Sequence, residues 1–354
     1  MIPTALTLLG IIYFSIASQE QKVYIKPISV AQPGLGSQWN QLLVAFYPNG
    51  QEVNLAVDTG STRTFLVWRA QYERVKPGGC HNLIYHCFGC SPKPCEPGPL
   101  STYKFYDGRE VTMFSHLAHI DNVGNVPFGL VTSPEKTPWA SLGLSLHRVV
   151  SHRYPLFIDV LLTAGIVTKR EYTIYLNTTG FGRLIFGGDY PMRQDGPLRY
   201  VSTWLSGLGP PALDMMSFLV GDDCVDEVPI DTAAFLATGL GYIQIADFLK
   251  QPVLKLLENA GLKHVAIREE SGVFKVDCED IEYLPSITFF LKGLNGRKTP
   301  LVISPNSLRT KLVDGQCALA LTFGELWYLG LPAVIGKYFT VNETHIGFTK
   351  ATCA

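Results

Sequence analysis

The chain has 354 residues, with 29 Lys and Arg against 30 Asp and Glu for a formal net charge of −1, 47% hydrophobic residues and 17% charged residues. A chain this apolar is not disordered, and its length suggests two compact units or one bilobed body with a sizeable core. Near-neutrality without a long run of like charge argues against nucleic acid or an anionic membrane surface as main partner, and 33 Gly, 23 Pro, 19 Phe and 16 Tyr favour short strands over a helical bundle.

In chain order, the apolar run from Ala5 to Ile16, with small Ser15 and Ala17 at its end, reads as a secretory signal over residues 1–17. It is shorter than the ~18 apolar residues of a spanning helix, and no later segment is longer, so no membrane span is expected once it is removed. Val23 to Val30 and Gln41 to Tyr47 read as strands, and a third apolar stretch runs into Leu55-Ala56-Val57-Asp58-Thr59-Gly60. Cys80, Cys87, Cys90 and Cys95 then cluster beside His81 and His86. A zinc knuckle is one reading; in an exported chain two local disulfides fit better, with three possible connectivities, and no metal is expected.

Val111 to Phe114 reads as a strand, and Tyr172 to Leu176 with Arg183 to Phe186 reads as a hairpin ending at Gly187-Gly188-Asp189. A boundary there gives a first β unit over residues 18–195 and a second over 196–354. A second apolar stretch ends in Val228-Pro229-Ile230-Asp231-Thr232-Ala233, and Ile245 to Ala260 has the periodicity of a helix, stopped by Gly261. Ser286 to Leu291 and Tyr338 to Val341 read as strands, and Asn295-Gly296 is a two-residue hairpin signal. Asn177-Thr178-Thr179 and Asn342-Glu343-Thr344 are glycosylation sequons, which with eight cysteines agree with export.

The chain also echoes itself. Each Asp-Thr stretch is followed by an apolar-apolar-Gly unit, Leu142-Gly143-Leu144 in the first half and Leu329-Gly330-Leu331 in the second, as in a duplicated lobe. An Asp at the end of an apolar strand, one from each half, places two carboxylates where they can meet and share a proton. One then acts as base on water and the other as acid on a carbonyl oxygen, without metal or cofactor.

With these motifs in order, the chain resembles the pepsin-like aspartic proteases. Asp58-Thr59-Gly60-Ser61-Thr62 is similar to the family's first catalytic motif, Leu142-Gly143-Leu144 to the segment packed behind it, and Leu184-Ile185-Phe186-Gly187-Gly188 to the end of the first lobe. Cys278 and Cys317, with Leu284 to Phe289 and Ser304-Pro305 between them, resemble the family's second-lobe disulfide segment, leaving Cys224 and Cys353 as the remaining pair. The resemblance implies an all-β fold with a few short helices, in two related β lobes around a central cleft. It also implies an endopeptidase with Asp58 and Asp231 as the dyad, supported by Thr59, Gly60, Ser61, Thr232 and Ala233, and a flap at Phe105, Tyr106, Asp107 and Gly108.

Several departures fall on working parts. Asp231-Thr232 is followed by Ala233, Ala234 and Phe235 where the family has Gly and hydroxyl residues, and Trp139-Ala140 stands where Asp-Gly is common. The flap tyrosine corresponds to Phe105, or to Tyr106 after a one-residue shift, and the tryptophan that bonds it corresponds to Phe65, with Trp68 close by. Loss of both hydrogen-bonding partners together is tolerable, whereas loss of one leaves a polar group unpaired. The 40 residues from Ser18 to Asp58 leave no room for a long inhibitory propeptide. The expectation is a secreted or lysosome-type aspartic endopeptidase acting as a monomer on extended peptide or protein, with a non-cleaving peptide-binding homologue as the alternative.

Overall fold

The computed structural model describes residues 22–32, 34, 39–105, 107–133, 138–146, 154–188, 194–205, 210–221 and 227–351. The signal at 1–17, Tyr106, Cys224 and Cys353 lie outside the described residues. The fold is mainly β, with one 20-stranded sheet, a separate four-stranded sheet and short helices among the described residues. Alternating and continuous runs of Val, Ile, Leu, Phe and Tyr supply the strands, whose inward faces form one extended core.

Two structures within this frame are related. In the first lobe, strand Val53–Asp58 pairs antiparallel with Gln41–Phe46 and parallel with Ser141–Gly143, which sets Asp58 opposite Gly143. In the second lobe, strand Val228–Leu236 pairs antiparallel with Pro211–Val220 and parallel with Trp327–Leu329, which sets Leu236 opposite Leu329. The residues after that last pair are Ala237 and Gly330. The lobes share a sheet behind the cleft: Tyr172–Leu176 pairs with Lys337–Val341, and Gln194–Leu205 pairs with His345–Ala351. The 195/196 boundary expected from sequence falls inside that last strand.

Most strands lie within a residue or two of their sequence readings, but the expected helix from Ile245 to Ala260 does not hold as a unit. Its first residues belong to strand Ile243–Ala246, a 3-10 turn covers Asp247–Leu249, and the α-helix is Lys250–Asn259. Pairing of Ile243 to Ala246 with Leu321 to Gly324 outweighs helical periodicity there. A turn with Gly296 at φ 75° does join strands Ile287–Lys292 and Lys298–Ile303, but the connection is longer than the expected two residues: Lys292 pairs with Lys298, the Gly293 N–H donates to the Arg297 carbonyl and the Gly296 N–H to the Gly293 carbonyl. Among the described residues the disulfides are Cys80–Cys87, Cys90–Cys95 and Cys278–Cys317, which selects one of the three loop connectivities.

Candidate functional site

Parallel pairing with Ser141–Gly143 delivers Asp58 to the end of its strand, half-buried, where the Gly60 N–H donates to Asp58 Oδ1 at 2.8 Å. Thr59 turns away from solvent and crosses to the other lobe. Its N–H donates to Thr238 Oγ1 at 3.1 Å and its hydroxyl to the Leu236 carbonyl at 2.9 Å. Thr238 answers symmetrically, its N–H donating to Thr59 Oγ1 at 3.0 Å and its hydroxyl to the Val57 carbonyl at 2.6 Å. Four fully buried hydrogen bonds therefore clamp the two loops together, at about 1 kcal/mol net each.

This clamp locates the true counterpart of Asp58-Thr59-Gly60. It is Ala237-Thr238-Gly239, and the carboxylate is missing: Ala237 stands where symmetry requires the second aspartate. A Cβ at Gly60 would lie 3.1 Å from the Ala237 Cβ, and one at Gly239 would lie 2.5 Å from Asp58 Cγ, so each loop's glycine faces the other loop's first residue. Only glycine admits that mutual approach.

Asp231 is elsewhere, and its expected place in a dyad is corrected by this geometry. It is exposed, near the start of strand Val228–Leu236, at φ 47°. The register passes from Met215↔Thr232 to Ser217↔Pro229, so Ile230 and Asp231 oppose the single residue Met216 in a β-bulge. Asp tolerates the left-handed conformation better than most residues, which accounts for its presence there. Six residues of strand place it roughly 20 Å along the chain from Ala237. Thr232 and Ala233 are strand residues opposite Met215 and Asp214, so the partner threonine is Thr238 and not Thr232. The signal available in the sequence was the frame apolar-apolar-X-Thr-Gly, shared by Ala56 to Gly60 and Phe235 to Gly239. A search anchored on a carboxylate passes over it.

Ser61 is buried and its hydroxyl accepts from the Arg63 N–H at 3.0 Å. The flap is the turn between strands Leu100–Lys104 and Glu110–Ile120, closed by Phe105 N–H to the Arg109 carbonyl at 2.7 Å. Phe105 packs edge-on against Phe65, Trp139 and Tyr103, with centroids 6.0, 5.5 and 4.8 Å away. Phe65 and Phe105 thus meet in one apolar cluster, while Trp68 packs against Phe114 instead. Past Gly108, whose φ is 84°, Arg109 Nε donates to Asp107 Oδ2 at 2.6 Å, and the guanidinium lies 4.6 Å from the Trp139 ring centroid.

Asp58, Asp107 and Arg109 line one small cavity with Phe105, Ala237, Leu240 and Tyr328; its volume is about 30 Å³. Loss of water pushes the Asp58 carboxyl up to about 6, reinforced by the nearby Asp107 carboxylate and opposed by the Gly60 and Gly239 N–H groups and the Arg109 guanidinium. Away from the cleft, Cys90 and Cys95 approach His116, but both sulfurs are in a disulfide and offer no thiolate to a metal. Asn177 and Asn342 occupy turns in which each Oδ1 accepts from the hydroxyl of the sequon's own threonine. Among the described residues no helix is long and apolar enough to cross a membrane.

Comparison with known proteins agrees with this architecture. The family described as eukaryotic aspartyl protease matches residues 123–351. Cathepsin D of Clupea harengus is 28% identical over 229 residues, 60% of this chain and 54% of the relative. Gastricsin of Homo sapiens is 24% identical over 250 residues, 65% of this chain and 60% of the relative, and pepsin F of Oryctolagus cuniculus 23% over 361 residues, 96% and 79%. The chain spans about half the length of the cathepsins it matches. The chain belongs to the eukaryotic aspartyl protease family.

Proposed function

We propose that this chain is a non-catalytic member of the family, which binds an extended peptide or protein segment in its cleft without hydrolysing it. The observation that carries this reading is Ala237, which leaves Asp58 without a partner carboxylate. Hydrolysis by this family's chemistry needs one carboxylate to take a proton from water while another donates to the carbonyl oxygen. Asp58 alone offers one of these roles at any pH, and Asp107, the other carboxylate among the described residues at the cavity, is held in an ion pair with Arg109. The active endopeptidase is therefore the second reading. The clamp between Thr59 and Thr238 and the apolar flap cluster preserve the cleft, as a binding role requires and a disused site does not. The apolar segment at residues 1–17, the three disulfides and the sequons at Asn177 and Asn342 support an exported or lysosome-type chain.

The test is incubation of the purified chain with an unstructured protein across the acidic to neutral range, beside Asp58→Ala and Ala237→Asp, with a statine-type mimic as binding probe. The native chain is expected to bind the mimic and cleave nothing, and Ala237→Asp to gain cleavage that the mimic blocks. Cleavage by the native chain that disappears in Asp58→Ala overturns the proposal.

A further inference from the structure

We propose that Arg109 is the specificity-determining cation of this cleft, and that it receives a carboxylate of the bound peptide, from an Asp or Glu side chain or a free C-terminus. This rests on the peptide-binding reading above and names the ligand chemistry of the same site. Arg109 sits where the flap turns back over Asp58 and lines the same cavity. Its guanidinium is immobilised from two directions. Asp107 takes Nε at 2.6 Å through Oδ2 and the Arg109 backbone N–H at 3.0 Å through Oδ1, while the planar group lies 4.6 Å from the Trp139 centroid and 5.9 Å from that of Phe105.

A guanidinium has five N–H donors in a fixed fork, of which Asp107 uses one. Among the described residues neither terminal nitrogen of Arg109 has a hydrogen-bond partner, and the side chain is 44% exposed while that of Asp107 is 18% exposed. The outer edge of the fork is therefore pre-organised and available. A carboxylate meets that edge with two parallel hydrogen bonds, and little side-chain entropy is lost because stacking has already ordered the cation. Lysine, a flexible point charge, reproduces neither feature.

The remaining charges around the site set a pH window for this recognition. Asp58 reaches Arg109 from the strand Val53–Asp58 and Asp107 from the flap itself; Tyr85, Tyr103, Tyr172 and Tyr242, whose hydroxyls burial pushes up, stay neutral through the acidic range. Ionised Asp58 competes for Arg109 and repels an incoming carboxylate. Protonated, it does neither. The ligand's own carboxyl ionises above about 4, so affinity for an acidic peptide peaks at about pH 5, between that value and the Asp58 titration at about 6.

The experiment measures binding of short, capped, otherwise neutral peptides to the full chain, with a single Glu moved along the peptide and a Gln counterpart for each. A Gln peptide with a free C-terminus forms a separate arm. One Glu position, or the free C-terminus, is expected to bind about tenfold tighter than its neutral counterpart at about pH 5, with the preference fading above the Asp58 titration. The arm that gains identifies the source of the carboxylate. Arg109→Gln is expected to abolish the preference, and Arg109→Lys to lose most of it. Thermal melts of both variants confirm that they fold. If the statine mimic and neutral peptides bind but no arm discriminates, or discrimination survives in both variants, this proposal fails while the binding reading stands. If neither mimic nor any peptide binds, both fail.

Discussion

Asp58-Thr59-Gly60 and Ala237-Thr238-Gly239 are two copies of one loop, and they differ in a single functional side chain. Everything that holds the loops together is duplicated: reciprocal N–H to hydroxyl bonds, hydroxyl to carbonyl bonds, and a glycine facing the opposite loop. The carboxylate itself is absent from one copy. Scaffold and chemistry are thus separable here, because the threonines and glycines bear the interlobe contact while the first position of each triad faces the cavity. Alanine at that position removes the carboxylate and leaves the clamp untouched.

The comparison breaks most severely where the duplicated part is removed. Thr238→Ala leaves the Val57 carbonyl and the Thr59 N–H without partners inside a buried loop pair, with an expected loss of about 3 kcal/mol. Thr59→Ala should match it, and chemical denaturation of both tests the symmetry. Unequal losses would show that one loop carries the contact.

The unshared carboxylate comes next. The Asp58 carboxyl rises from an ordinary 3.8 to about 6 on folding, so its contribution is favourable when protonated and is lost as pH rises through about 6. That shift amounts to at most about 3 kcal/mol, and the solvent reaching the cleft reduces it to about 1–2 kcal/mol. Asp58→Asn keeps an acceptor for the Gly60 N–H, so it should stabilise the chain at neutral pH and be indistinguishable from it below about pH 4. Melts across that range check this, and a uniform effect at all pH values would sink it. The smallest effect belongs to Asp231→Ala. An exposed bulge residue at positive φ is expected to cost about 0.5–1 kcal/mol and to leave binding of the statine mimic unchanged. A variant that lost mimic binding while remaining folded would return Asp231 to the cleft.

Some of the site was open to inspection in the residues. Asp58 announced itself because an apolar strand, a carboxylate, Thr and Gly stood together, and Phe65 and Phe105 stood out as two aromatic departures that meet in one cluster. Asp231-Thr232 imitated the same signal for a different reason: a bulge wanted a residue that accepts the left-handed conformation, and Asp is one. Arg109 gave no signal, since a lone surface arginine two residues past a flap acid is ordinary until its ring contacts are known.

Local order along the chain determined the strands, the β-rich two-lobed fold, the Asn295-Gly296 turn and the Asp58 motif, because side-chain alternation and turn chemistry act between near neighbours. Tertiary structure alone decided which cysteines pair in the loop, where the helix after Ile245 begins, and which residue faces Asp58. That last choice rests on hydrogen bonds between Thr59 and Thr238, 179 residues apart: the shared apolar-apolar-X-Thr-Gly frame marks both loops, but that they meet is decided only when the lobes close on each other.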